Sequence, residues 1–297
     1  MSARYGYVGI GNMGGPMAAN LARTGSEVII GDLNTASVEA FTTEHETARP
    51  ANGLAAVGQD AEAVFTCLPN GKIVREAVLG EGGVAEGMAE GSVLVDMSSS
   101  SPMGTIELGK ELADRGIRMV DAPVSGGVPR AIEGTIAIMV GGAKEDIQKV
   151  RPALDAMGGQ IFETGDLGSA HAMKAINNVL SATNFVVGVE ALVIGKKFGL
   201  DPENMVDILN FSSGKNSATE GKLKQYVLSR GFDSGFSMDL MIKDVATALD
   251  LAHEMGVPWM IGGTVYEMYQ AARNHMIDNA DNSDIARWIE ANGGIEL

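Results

Sequence analysis

Cysteine is nearly absent from this chain. Cys67 is alone among 297 residues, so no intrachain disulfide can form. It sits in the apolar run Ala63-Val64-Phe65-Thr66-Cys67-Leu68, which reads as a buried strand thiol. Basic residues are also short: 22 Lys and Arg against 38 Asp and Glu give a formal charge of −16, and no run of Lys and Arg offsets it. Such a surface repels nucleic acid and argues against an anionic membrane face, so neither is expected as a partner. A small anionic substrate stays possible, because a few local lysines can dominate a pocket. No apolar run reads as a membrane span and the N-terminal residues carry no signal-peptide core, which makes a cytoplasmic location the expectation. His45, His171, His253 and His275 have no metal-site spacing, and no Ser/His/Asp hydrolase signature is present. No metal is expected.

Glycine is plentiful, at 39 residues, while aromatics make up only 5%. Together with 45% hydrophobic residues, this fits a two-domain α/β protein with many tight strand-to-helix turns. Short apolar strands are expected at 5–10, 27–31, 64–68, 92–95, 117–120, 136–140 and 160–162. Helical spacing falls between them, at 12–23 and 144–157. This alternation predicts a parallel sheet with helices on both faces. From Ala170 to Phe198 the chain lacks proline and is apolar around much of its circumference, which predicts a long buried helix. Asp201-Pro202-Glu203 opens another helix, and more follow at 238–255, 261–272 and 283–292. The expected fold is α/β: an N-terminal Rossmann domain (1–164), then a long connecting helix and an all-α C-terminal domain (165–297).

Gly9-Ile10-Gly11-Asn12-Met13-Gly14 follows the first strand and opens a helix. In such a loop Gly9 permits the turn, Gly11 admits a pyrophosphate to the backbone, and Gly14 lets the helix pack on the strand. The exposed N–H groups of the helix then face the phosphates, with Asn12 and Met13 in the same loop. Asp32 ends the second strand, eighteen residues after Gly14, where a ribose-binding carboxylate is expected. The next residues are Leu33 and Asn34, with no Arg for a 2′-phosphate, so NAD is favoured over NADP. Asp32 could instead cap the next helix.

In the second half, Lys174 and Asn178 are four residues apart and share a helix face, about 5–6 Å apart at Cβ. A lysine there can act as general acid when a carbonyl is reduced and as base in reverse, with desolvation lowering its pKa. Composition alone reads Lys174 equally well as a snorkelling surface lysine. Ser125-Gly126-Gly127 offers a hydroxyl and open backbone N–H groups, either a carboxylate cradle or a plain turn. Ser98 to Ser101 follow a strand end, where ligands of such sheets bind, although Ser101 before Pro102 also reads as a helix cap. Lys243-Asp244, as an exposed neighbouring pair, carries little meaning by itself.

These motifs, in this order, resemble the β-hydroxyacid dehydrogenase family across essentially the whole chain. They are Gly9-x-Gly11-x-x-Gly14, Leu68-Pro69, Asp96-x-Ser98, Asp121 to Gly127, Gly134-Thr135, Lys174-x-x-Asn177-Asn178, Lys243-Asp244 and Asp281-Asn-Ser283. The resemblance implies an NAD-dependent oxidoreductase of small 3-hydroxy acids that works as a homodimer or homotetramer. It implies Lys174 and Asn178 as the catalytic pair, and Ser125, Gly126 and Gly127 as the substrate-carboxylate loop. Leu68, Pro69 and Ser98 would line the nicotinamide, and Lys243 would serve cofactor and substrate. The chain departs from the pattern at Ala170, in place of Gly, and at Ser99-Ser100. Ser212-Ser213-Gly214 looks like 3-hydroxyisobutyrate dehydrogenase, the expected activity. Lys215, in place of Arg, either faces a second anionic group or is solvated, which keeps tartronate semialdehyde and sulfolactaldehyde reductases open. An imine reductase fits less well, since those relatives typically carry Asp or Tyr where Lys174 stands. A non-catalytic redox sensor would need Asp32 and the glycine loop but not Lys174.

Overall fold

The computed structural model describes residues 3–276 and 279–297. The chain divides into two compact units, Met1–Lys174 and Ala175–Leu297. The division falls inside one continuous helix, Ser169–Phe198, rather than at residue 164.

The first unit is built on a sheet with nine strands among the described residues: β1 (Arg4–Val8), β2 (Glu27–Gly31), β3 (Ala48–Pro50), β4 (Ala63–Thr66), β5 (Val93–Asp96), β6 (Arg118–Asp121), β7 (Val124–Ser125), β8 (Ile136–Gly141) and β9 (Gly158–Gly165). The order β3-β2-β1-β4-β5-β6 is parallel throughout, the Rossmann arrangement. Beyond it, β8 runs antiparallel to β6 and β7, and β9 returns parallel to β8.

Strand alternation explains why both faces are covered. Tyr5, Tyr7, Phe65, Val93 and Val95 point into one core cluster, with Met17 and Leu21 of the helix Gly14–Ala22. Val8, Val64 and Leu94 point into the other, with Leu108 and Leu112. A strand buried on both faces is apolar at every position, which is why these runs read as continuous rather than alternating. The two-residue β7 and three-residue β3 are too short to leave a periodic signal in the sequence.

The second unit is helical among its described residues, with its core around Phe185, Val189, Leu192, Leu223, Met238, Tyr269 and Ile285. The helix Ser169–Phe198 corrects one expectation. By length and composition it is apolar enough to cross a membrane, and 56% of its most apolar window is buried inside the protein. That burial makes it a core helix of the fold. Asp201 caps the helix Pro202–Asn210 by accepting from the Asn204 N–H, as Asp-Pro-Glu predicts. The π-helix Ala218–Leu228 has no counterpart in the sequence reading, because i→i+5 winding does not follow the 3.6-residue period. Asp281-Asn282-Ser283 forms a capping knot: the Asp281 carboxylate accepts from the Ser283 and Gly235 N–H groups, and Asn282 takes the Tyr269 hydroxyl at 2.8 Å.

Candidate active site

The glycine loop is shaped by close packing. At Gly14 an added Cβ would lie 1.9 Å from the Gly9 carbonyl oxygen, so the helix cannot approach the loop with any side chain there. Gly9, at φ +92°, would place a Cβ 2.4 Å from the Cys67 carbonyl oxygen. Gly11 differs: a Cβ there meets nothing of the protein within 4 Å. What glycine leaves room for at this position is therefore not protein, as expected where a pyrophosphate approaches the backbone. The helix Gly14–Ala22 has no side-chain cap and no acidic residue in its first turn, which leaves its positive end open to an anion.

Asp32 does not cap the next helix. Asn34 does so, accepting from the Ser37 N–H. Asp32 instead takes the Ile10 N–H on Oδ2 and the Asn34 N–H on Oδ1, both at 2.8 Å. It thus ties the end of β2 to the glycine loop and remains part-exposed, with lone pairs to spare for hydroxyl donors. Leu33 beside it is 99% exposed and carries no charge. These features fit a dinucleotide.

At the ends of β4 and β5, Asp96 is the buried hub. Its Oδ1 accepts from Thr66 Oγ1 at 2.9 Å and from the Ser98 N–H at 3.0 Å, and its Oδ2 accepts from Ser100 Oγ at 2.6 Å. Ser98 is 3% exposed and its Oγ accepts the Leu68 N–H at 2.9 Å. The hydroxyl therefore pins Leu68, the residue beside exposed Pro69, and Ser100 serves Asp96. Ser101 is the cap of the helix Pro102–Ala113. Cys67, beside this hub, has its thiol pushed up to about 12 by burial, with Asp96 adding to the effect.

Ser125 pairs with Ala137 across β7 and β8, and the chain then turns sharply. Gly126 and Gly127 adopt φ of +141° and +78°, a left-handed path that L side chains avoid, and both are exposed. The turn leaves their backbone accessible beside the Ser125 hydroxyl.

Asp121, at the end of β6, anchors the start of the helix Ser169–Phe198. Its carboxylate accepts from the Gly168 N–H at 2.8 Å and the His171 N–H at 2.7 Å. Burial raises its pKa against those favourable bonds. Ala170 is fully buried in this first turn, so its methyl packs inward. Lys174 is part-exposed on the next turn.

In the second unit Asn178 is 6% exposed, and its Nδ2 donates to Asp244 Oδ2 at 2.5 Å. Asn177 Nδ2 donates to Asn178 Oδ1. Asp244, on the helix Met238–Glu254, is 4% exposed and pairs through Oδ1 with Lys243 Nζ at 2.8 Å. The Lys243-Asp244 pair is thus not the exposed surface pair its sequence spacing suggests. The carboxylate is buried because it holds an amide from a helix 66 residues away. Lys215 meets Glu220 at 2.9 Å with more than half its side chain exposed, the geometry of a solvated pair.

Sequence reasoning missed Asp244 as the partner of Asn178, and it missed His171. His171 is 1% exposed between two buried carboxylates, yet it was read only for metal spacing. No local signal could have found either, because their partners are distant in the chain. Among the described residues no group of acids, histidines and cysteine could hold a metal.

Residues 4–165 match the family model for the NAD-binding domain of 6-phosphogluconate dehydrogenase. Residues 168–289 match the model described as NAD-binding of NADP-dependent 3-hydroxyisobutyrate dehydrogenase. The chain is 38% identical to 2-(hydroxymethyl)glutarate dehydrogenase of Eubacterium barkeri over 100% of this chain and 98% of that protein. It is 31% identical to 3-sulfolactaldehyde reductase of Escherichia coli, over 99% and 98% respectively. Among solved structures, the 3-hydroxyisobutyrate dehydrogenase of Mycobacterium tuberculosis with L-serine superposes with a TM-score of 0.88 at 28% identity, covering 97% of this chain and 99% of that one. The chain belongs to the β-hydroxyacid dehydrogenase family, a group of NAD(P)-dependent oxidoreductases acting on hydroxy acids.

Proposed function

We propose that the enzyme oxidises the primary alcohol of a small 3-hydroxy acid to the aldehyde with NAD, and reduces the aldehyde in reverse. The substrate class is a carboxylate bearing a hydroxymethyl group on the adjacent carbon. 3-Hydroxyisobutyrate is the simplest case, and 2-(hydroxymethyl)glutarate, named in the 38% identical relative, shares the same reacting unit. The preference for NAD rests on Asp32, whose part-exposed carboxylate would repel a 2′-phosphate, and on the uncharged Leu33 beside it.

Bound NAD supplies the hydride acceptor. Lys174 removes the hydroxyl proton as the alcohol is oxidised and returns it on reduction. Asn178 orients the substrate oxygen and Lys174. The observation that carries this role is its Nδ2 bond to Asp244, which fixes which way the amide points. Lys243, paired with the same Asp244, is assigned to the cofactor and substrate side. Ser125, Gly126 and Gly127 hold the carboxylate with a hydroxyl and exposed backbone N–H groups. Gly9, Gly11, Asn12, Met13 and Gly14 hold the pyrophosphate, while Leu68, Pro69 and Ser98 stand on the nicotinamide side. Lys215, occupied by Glu220, is not assigned to a second anionic group.

The enzyme is further assigned as a homo-oligomer. Leu180, Val187 and Ile194 are 54%, 52% and 69% exposed at seven-residue spacing along one helix, an apolar stripe suited to a second copy. Light scattering of the Ile194→Glu variant, expected to lower the mass relative to wild type, checks this.

The activity test is a substrate panel: 3-hydroxyisobutyrate, 2-(hydroxymethyl)glutarate, glycerate and 2,3-dihydroxypropanesulfonate with NAD and with NADP, and a cyclic imine with the two reduced cofactors. It is run on wild type and Lys174→Ala. The expected result is turnover of 3-hydroxyisobutyrate or 2-(hydroxymethyl)glutarate, with Lys174→Ala losing at least about a hundredfold while still binding NAD. Undiminished turnover in that variant would remove Lys174 from the mechanism. Turnover of glycerate or the sulfonate alone would move the enzyme to the reductase branch.

A further inference from the structure

The first three turns of the Ser169–Phe198 helix carry a polar stripe on an apolar element. His171, Lys174 and Asn178 stand at positions i, i+3 and i+7, which share one side of a helix. Lys174 and Asn178 have roles in the reaction above, but His171 has none. Its ring is buried, with both nitrogens engaged: Nε2 lies 3.0 Å from the Ser98 carbonyl oxygen and Nδ1 lies 2.8 Å from Thr105 Oγ1. A carbonyl oxygen only accepts, so Nε2 carries a hydrogen and donates it there. Two carboxylates face the ring, Asp96 Oδ2 at 3.8 Å from Nε2 and Asp121 Oδ2 at 3.7 Å from Nδ1. The backbone N–H of the same residue donates to Asp121.

These partners come from separate elements. Ser98 follows β5, Thr105 lies on the helix Pro102–Ala113, and Asp121 ends β6. Ser98 also holds the Leu68 N–H through its Oγ. One ring therefore joins the residues after β4 and β5 to the turn that precedes Lys174. A buried ring bonded at both nitrogens cannot rotate or withdraw without leaving polar groups unpaired, which penalises every displacement of that turn.

We propose that His171 is a positioning residue for the reaction, fixing the first turn of its helix, and so Lys174, against the strand ends that carry Leu68 and Ser98. The proposal rests on the reading of Lys174 as acid/base. Hydride and proton transfer require the alcohol carbon and its oxygen to be in register with two different groups at once. Small errors in that register are costly in rate and nearly invisible in cofactor affinity.

The test compares His171→Leu, which removes both ring bonds, with His171→Gln, whose amide keeps a donor for the Ser98 carbonyl and an acceptor for Thr105. Thr105→Val removes the bond at Nδ1, and with it the Thr105 hydroxyl's bond to the Ser101 carbonyl, while leaving the histidine in place. Lys174→Ala is measured in parallel. The readouts are kcat, KM for the hydroxy acid, Kd for NAD by calorimetry, and the pH profile of kcat. His171→Leu is expected to lose about 10- to 100-fold in kcat and to displace the pH profile, with Kd for NAD changed by less than about twofold. His171→Gln is expected to recover most of that loss, and Thr105→Val to fall between wild type and His171→Leu. If His171→Leu does not fold, Thr105→Val and His171→Gln decide the matter. Wild-type kcat in Thr105→Val, or loss of kcat and NAD affinity together in His171→Gln, overturns the proposal. A Lys174→Ala enzyme with full kcat removes the underlying reading instead. Full loss there beside an unimpaired His171→Leu removes this proposal alone.

Discussion

Two buried carboxylate clusters hold the proposed chemistry, and they are made from different kinds of partner. In the first unit Asp121 accepts two backbone N–H groups, and Asp96 accepts one together with two hydroxyls. In the second unit Asp244 holds two side chains, the Asn178 amide and the Lys243 ammonium. Backbone donors are present whatever residue carries them, so a carboxylate that collects them specifies chain path. Side-chain donors exist only with the right residue, so a carboxylate that collects them specifies the site. Asp121, held by backbone donors alone, should therefore fail mainly as stability and Asp244 mainly as activity.

Asp121→Ala is the strongest way to break this contrast. It strands the Gly168 and His171 N–H groups, costing about 3 kcal/mol or more. The thermal midpoint should fall by roughly 10 °C. A midpoint within a degree or so of wild type would show that water replaces the carboxylate. The same residue has a pH signature. Burial raises its pKa, so above the ordinary value of 3.8 the folded chain keeps a proton that the unfolded chain has released. Its contribution to stability therefore declines as pH climbs from that value through the raised one, and is constant above. Scanning the thermal midpoint against pH should show that decline flattened in Asp121→Ala.

Asp244→Ala reverses the emphasis. It takes the carboxylate away from the Asn178 amide and the Lys243 ammonium, so kcat should fall by about 10- to 100-fold. The loss of thermal midpoint should be smaller than in Asp121→Ala. Calorimetry alongside steady-state kinetics checks this, and equal stability losses in the two variants would erase the distinction. Asp32→Ala comes next. It should weaken NAD by about tenfold, near 1.4 kcal/mol, and NADP by less, since a 2′-phosphate gains nothing from that carboxylate. Equal weakening of both would assign Asp32 to the Ile10 and Asn34 N–H groups alone. The smallest effect concerns Cys67. A thiol held up at about 12 is protonated at neutral pH, so a thiol reagent should label it slowly in the folded enzyme and fully after unfolding.

The elements that could be read from the sequence are those governed by local rules. The helix Lys144–Met157 begins with acidic residues in its first turn and spans the residues its periodicity predicts. Asp201-Pro202 starts its helix where a cap followed by proline should. The π-helix Ala218–Leu228 could not be read this way, and neither could the membrane-like apolarity of a helix that the protein buries. For Lys215 the sequence left two readings open, and its ion pair with Glu220, five residues on, fits the solvated one.

By itself, the sequence determined the Rossmann class, the glycine loop with Asp32, and membership of the family, because each is carried by residues close together in the chain or by motifs in a fixed order. Gly14 is the clearest case: its closest contact is Gly9, five residues earlier. Only the tertiary structure decided that Ser98 pins Leu68, that Asp244 is buried against Asn178, and that His171 ties its helix to three other elements. Those contacts span 30 to 73 residues. A polar side chain declares its partner only when burial removes water as the alternative, and burial is a property of the folded chain.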